Sequence, residues 1–159
     1  MKNLTRRAIS HFFPSWAVGF LLASVFHSIS VLLGLVQIGV QLNTSNWLYM
    51  IWQDALGLLP TYGAIIAVVL LLAFLITHFI VKQLNPHETE GANRSTRFAL
   101  FALAGGLSFL LMLLAMQPVL NVTLIAGARS TVGLVAQCFA GVCAGIIYSQ
   151  LSDSWGDDQ

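Results

Sequence analysis

His27 is the ionisable residue set deepest in an apolar stretch of this chain. An imidazole in such a place can relay a proton, meet a ligand, or coordinate a metal or a haem iron. It belongs to a stripe of small and polar residues, Gly19, Ala23, His27, Ser30, Gly34, Gln37 and Gln41, spaced 4, 4, 3, 4, 3 and 4 residues apart. That spacing follows the 3.6-residue helical turn, so all seven share one face of a helix whose remainder is Leu, Val, Phe and Ile. A polar side chain without a partner in hydrocarbon costs on the order of a kcal/mol or more, so the face turns inward. Two readings follow: a packing face in which His27 bonds to a neighbouring helix, or a polar intramembrane site made of His27, Ser30, Gln37 and Gln41.

A second ionisable partner for His27 is hard to find. His78 lies near the opposite end of its own apolar stretch, roughly 12 Å away in depth at 1.5 Å per residue, so the two cannot share an iron within one chain. Cys138 and Cys143, five positions apart, point in different directions on a helix and form no metal-ligand motif with a single histidine. No metal site and no cofactor is expected.

Gly133, Gln137, Gly141, Gly145 and Ser149 recur every four residues near the C-terminus, with Gly141-x-x-x-Gly145 inside the series. Small residues on an i, i+4 ridge let two helix backbones approach closely. This ridge is either a packing face within the chain or an oligomer interface. Asp54 and Arg129 are the two charged residues expected on the outer side of a membrane, and both border apolar sequence. They are expected either to pair, because an unpaired charge there is costly to desolvate, or each to reach water independently.

Those residues must be positioned by membrane-spanning helices. The 159 residues are 57% hydrophobic and 8% charged, against about 45–50% and 25% in soluble domains. With 7 Lys+Arg against 6 Asp+Glu, no bulk charge recruits nucleic acid. Four apolar stretches, residues 16–40, 62–81, 98–116 and 131–149, suffice to cross a core of about 30 Å. The fold class is therefore an all-α integral membrane protein, a single membrane domain of four transmembrane helices. Pro14, Pro60 and Pro118 mark the divisions. Lys2, Arg6, Arg7, Lys82, Arg94 and Arg97 fall on one side and Arg129 on the other, which predicts both termini in the cytoplasm of a bacterial-type inner (plasma) membrane.

The connections differ in kind. Residues 82–97 read as a flexible cytoplasmic loop, and residues 152–159 as a frayed tail. Residues 46–59 carry Trp47, Tyr49 and Trp52 and read as an interfacial or re-entrant helix between the first and second spans, ended by Pro60. The strings LPTYG and GARST, at 59–63 and 127–131, stand at the starts of the second and fourth spans, where Thr61, Ser130 or Thr131 can cap.

No span holds an acidic residue, and no hydrolase, metalloprotease or phosphate-binding motif is present, so an enzyme is not expected. The leading expectation is a small membrane protein that acts through helix contacts, as a homo-oligomer or as an accessory subunit of a membrane complex. Its partners are then lipids and itself or another membrane protein. The alternatives are a small channel or transporter with a path lined by the first helix, and a cofactor-binding membrane subunit using His27.

Overall fold

A computed structural model describes the backbone of residues 2–37, 47–84, 90–120 and 131–153, and side chains within 10–37, 47–83, 94–116 and 131–152. Every described element is helical: α1 (Lys2–Gln37), α2 (Trp47–Leu58), a five-residue π turn (Leu59–Gly63), α3 (Ala64–Leu84), α4 (Glu90–Leu120) and α5 (Thr131–Asp153). Among the described residues four helices are long and apolar enough to cross a membrane: Ser10–Gln37, Trp47–Gln83, Arg94–Met116 and Thr131–Ser152.

The prolines do not divide the chain where the sequence suggests. Pro14 lies inside α1, and α4 runs past Pro118 to Leu120. A proline removes one helical hydrogen bond and crowds one carbonyl, and in membrane helices neighbouring segments make that loss tolerable. Around Pro14 they are at hand, since the Phe12 ring meets Phe74 edge-on at 6.3 Å between centroids and the Ser15 hydroxyl donates to the Ala144 carbonyl. Pro60 does not end the preceding helix either. The π turn Leu59–Gly63 contains it and passes directly into α3. One extra residue in the turn accommodates the missing donor and the ring without breaking the rod. Helix also takes in most of the segment expected to be a flexible loop, with α3 reaching Leu84 and α4 starting at Glu90.

α1, α5, α4 and α3 touch in that cyclic order, closing a four-helix bundle, while α2 packs on the second half of α1. Four helices of this length and apolarity fit a multi-pass membrane protein, and in lipid, which supplies no hydrophobic force between helices, close packing and hydrogen bonds would hold them. The tightest approach is between α4 and α5. A Cβ added to Gly105 or to Gly141 would overlap the other's backbone, and one on Gly145 would run into the Phe101 carbonyl. On a neighbouring face of α5, Ala140 and Ala144 are fully buried, with Gly19 of α1 close enough that its Cβ would stand 3.0 Å from that of Ala144. Phe12, Phe74, Phe101 and Tyr148, one from each helix of the ring, form an aromatic cluster with Phe74 and Tyr148 stacked at 4.4 Å.

Register fixes the height of each residue. Ser15 bonds to Ala144 and Ala23 to Gln137, so α1 and α5 run antiparallel, and continuing the pairing puts Ser28 level with the start of α5 at Thr131. The last nine residues of α1 therefore extend about 13 Å beyond the start of α5, in the half of α1 that packs on α2.

Substitutions should separate the two kinds of glycine. Gly145→Val is expected to lower stability in mild detergent by about 2–4 kcal/mol, because the backbone it meets cannot yield. Gly34→Ala, with nothing within 4 Å of the new methyl, is expected to be neutral or to stabilise by up to about 1 kcal/mol. Thermal unfolding of the two variants checks both.

Candidate functional site

On α1, Ser24 and Ser28 stand one turn apart, and His27, Val31 and Leu35 continue the same side at helical spacing. α2 answers with Met50, Gln53 and Asp54, which share a face at i, i+3, i+4. His27, Ser28, Val31, Leu32, Leu35, Met50, Gln53 and Asp54 enclose a cleft of 390 Å³ between the two helices.

The polar end of the cleft is built around Asp54. The Ser28 hydroxyl donates to Asp54 Oδ2 at 2.6 Å. It also lies 3.0 Å from the Ser24 carbonyl, but a hydroxyl has one proton, and the shorter charge-assisted bond takes it. His27 Nε2 is 4.0 Å from the same carboxylate oxygen, beyond hydrogen-bond length but within reach of a small rotation. His27 is 7% exposed and its Nδ1 has no hydrogen-bond partner; the Ser24 hydroxyl oxygen is likewise buried and unpartnered. The Asp54 side chain is 39% exposed.

Serine, histidine and aspartate thus meet here, but not as a nucleophilic triad. Such chemistry needs the imidazole to take the serine proton, whereas Ser28 gives its proton to the carboxylate. What the arrangement offers is a carboxylate, steadied by one hydroxyl, with an imidazole beside it and an aliphatic trough leading away. No group of three metal-ligating side chains occurs among the described residues.

A separate network holds α2 in place. The Tyr62 hydroxyl, in the π turn, donates to Gln137 Oε1 at 3.1 Å, and Gln137 Nε2 donates to the Ala23 carbonyl at 2.9 Å. That carbonyl is the one an α-helix bonds to the N–H of His27, so its second lone pair ties the site's own backbone to α5. Trp16 Nε1 fixes the far side of the turn by donating to the Gly63 carbonyl at 2.8 Å. The π turn is thereby clamped by α1 and α5, and the direction in which α2 leaves it is set.

The stripe expected on α1 divides between environments. Gly19 and Ala23 pack on α5 and His27 lines the cleft. Ser30 bonds back to the Phe26 carbonyl of its own helix at 2.8 Å, Gly34 and Gln37 are exposed, and Gln41 lies outside the described residues. Gly133, Gln137, Gly141, Gly145 and Ser149 are all buried within the chain. Asp54 meets Ser28 and His27; Arg129, its expected partner, lies outside the described residues.

Sequence reasoning missed Ser28 and Tyr62 and treated Asp54 and His27 as separate. A signal existed for the first pair. In an antiparallel hairpin, residues equidistant from the connection face each other, and the pairs Ser28–Asp54 and Trp16–Gly63 are nearly equidistant from residue 40.

Tyr62→Phe is expected to cost about 0.5–1.5 kcal/mol, and Gln137→Leu about 1–3 kcal/mol because it strands both neighbours. The double variant should cost little more than Gln137→Leu alone, since the two act through one network. Chemical or thermal unfolding of the three variants in detergent measures this; full additivity would contradict the shared network.

Comparison of the chain with protein-family models, with curated proteins and with solved structures finds no match to any of them.

Proposed function

We propose that this chain is a membrane-embedded binding protein that holds an amphipathic molecule in the cleft between α1 and α2. The molecule's polar end meets Asp54, Ser28 and His27, and its apolar end follows Val31, Leu32, Leu35 and Met50. The observation that supports this reading is a carboxylate and an imidazole on the wall of an otherwise aliphatic cavity of 390 Å³. Small-molecule sites are commonly clefts of about 300–1,000 Å³, mostly apolar, with a few placed polar groups. Ionisable side chains in membrane-spanning segments are costly to keep, which makes a purpose for them the default expectation.

Action through helix contacts was suggested by two apparently spare faces. In the monomer Gly141 and Gly145 of α5 lie against α4 and Gly19 of α1 against α5, so much of both ridges is used within the chain, while Gly34 and Gln37 stay exposed. Conduction along the first helix needs Ser30 and Gln37 to join His27, and Ser30 is bonded within its own helix while Gln37 is exposed on α1. The binding reading uses the residues that do converge.

In this reading the protein resides in a plasma membrane of bacterial type with both termini cytoplasmic, the side favoured by Lys2, Arg6, Arg7, Lys82, Arg94 and Arg97. The cleft then opens toward the outer leaflet, and α2 sets Trp47, Tyr49 and Trp52 at the level of the headgroups.

Native mass spectrometry of the protein released from membranes in mild detergent tests the reading. The native chain is expected to retain a small amphiphile that Leu35→Trp, which fills the trough, has lost, with unchanged helical circular dichroism. A native chain that carries nothing, or equal loading of the variant, contradicts it.

A further inference from the structure

The cleft has a chemical preference, and the geometry points to it: we propose that its ligand is a single-chain amphiphile whose head is an ammonium group, bound to the Asp54 carboxylate. This rests on the cleft being a binding site and adds the class of molecule.

The argument begins with unused acceptor capacity. An ionised carboxylate has about four lone-pair sites and no protons of its own. Ser28 fills one of them on Asp54. Gln53, the only amide lining the cleft among the described residues, donates instead to the Tyr49 hydroxyl at 2.8 Å. No Lys or Arg lines the cleft among the described residues. His27 stands at 4.0 Å, so it makes no hydrogen bond to the carboxylate as placed. Among the described residues the carboxylate, 39% exposed, therefore has no Lys or Arg against it and keeps acceptor sites open toward the cavity.

An occupant that relieves this must bring donors and positive charge together. An ammonium group carries three donors on a compact cation. A hydroxyl head supplies donors without charge, and an anionic head would be repelled. The remaining polar group agrees: His27, 7% exposed and lining the same cavity, keeps Nδ1 without a partner, and an imidazole nitrogen can accept from a donor head. The other side chains of the lining, Val31, Leu32, Leu35 and Met50, are aliphatic or thioether groups with nothing to offer a second polar end. A ligand with one charged head and one chain matches that division.

Photolabelling of the full chain in lipid nanodiscs tests the proposal, with three dodecyl-chain probes that carry a diazirine on the chain and an ammonium, hydroxyl or sulfate head. The ammonium probe is expected to label the peptides containing Leu35 and Met50 at about tenfold lower concentration than the hydroxyl probe, the scale of one hydrogen bond to a charged group, and the sulfate probe not at all. Asp54→Asn should remove that preference and Asp54→Glu should keep it, which separates loss of charge from loss of fold. Equal labelling by the ammonium and hydroxyl probes overturns the ammonium class and leaves the cleft as a site. Absence of labelling by every probe, or labelling that Leu35→Trp does not reduce, overturns the cleft itself. Arg129 is the one competitor within the chain that the sequence places on this side. Ammonium labelling that appears only in Arg129→Gln means that the carboxylate is already matched, and overturns the proposal for the native chain.

Discussion

Backbone lies directly on backbone where Gly105 meets Gly141 and Phe101 meets Gly145, and everything else in the molecule is hung from that contact. In water a helix pair is driven together by burying apolar surface; in lipid the surroundings are as apolar as the side chains, and only contact density and hydrogen bonds distinguish associated helices from separated ones. Glycine makes that density available because it removes the atom that keeps helices apart. With α4 and α5 locked, the adjacent face of α5 receives α1 through Gly19, Ser15 and Ala23, and α3 closes the ring through the aromatic cluster.

Hydrogen bonds then finish what packing begins. Gln137 is fully buried and spends its oxygen on Tyr62 and its nitrogen on Ala23, joining α5 to two other helices. A buried amide with both ends satisfied holds its helix in a single rotational setting, whereas one left half-paired would be a liability. Because Tyr62 belongs to the π turn, this setting passes along the rod to α2 and decides that Asp54, and not a neighbouring apolar residue, comes to Ser28.

Much of the architecture is legible in the sequence, for reasons that also mark the limits. Charge-free runs of about 20 residues pointed to helices, because a helix satisfies its own backbone and such runs are too long for barrel strands, and four long apolar helices are found. The ridge on α5 could be seen from its four-residue spacing, but spacing says nothing about which helix it meets. The prolines misled because their effect is local: Pro14 and Pro118 remove one bond each from long helices, and Pro60 is absorbed by one wider turn. Of the site, His27 stood out as a deep ionisable group. Ser28 did not, because it lies one residue off the small-polar stripe, and Asp54, placed on an outer interfacial or re-entrant helix, was paired with Arg129 instead of being turned toward α1. Both errors come from judging each helix alone, when the site is made by the angle between two.

The difference in helix length has a further consequence. Since α1 and α2 outrun α5, the described lining of the cleft comes from these two helices and not from the closed ring, and in the proposed membrane setting its open side meets the bilayer. A molecule reaching it from the leaflet would arrive by lateral diffusion, without the four-helix part having to open. Occupancy of such a groove is governed by the mole fraction of ligand among the surrounding lipids, so a sparingly water-soluble molecule could saturate it while its aqueous concentration stayed negligible.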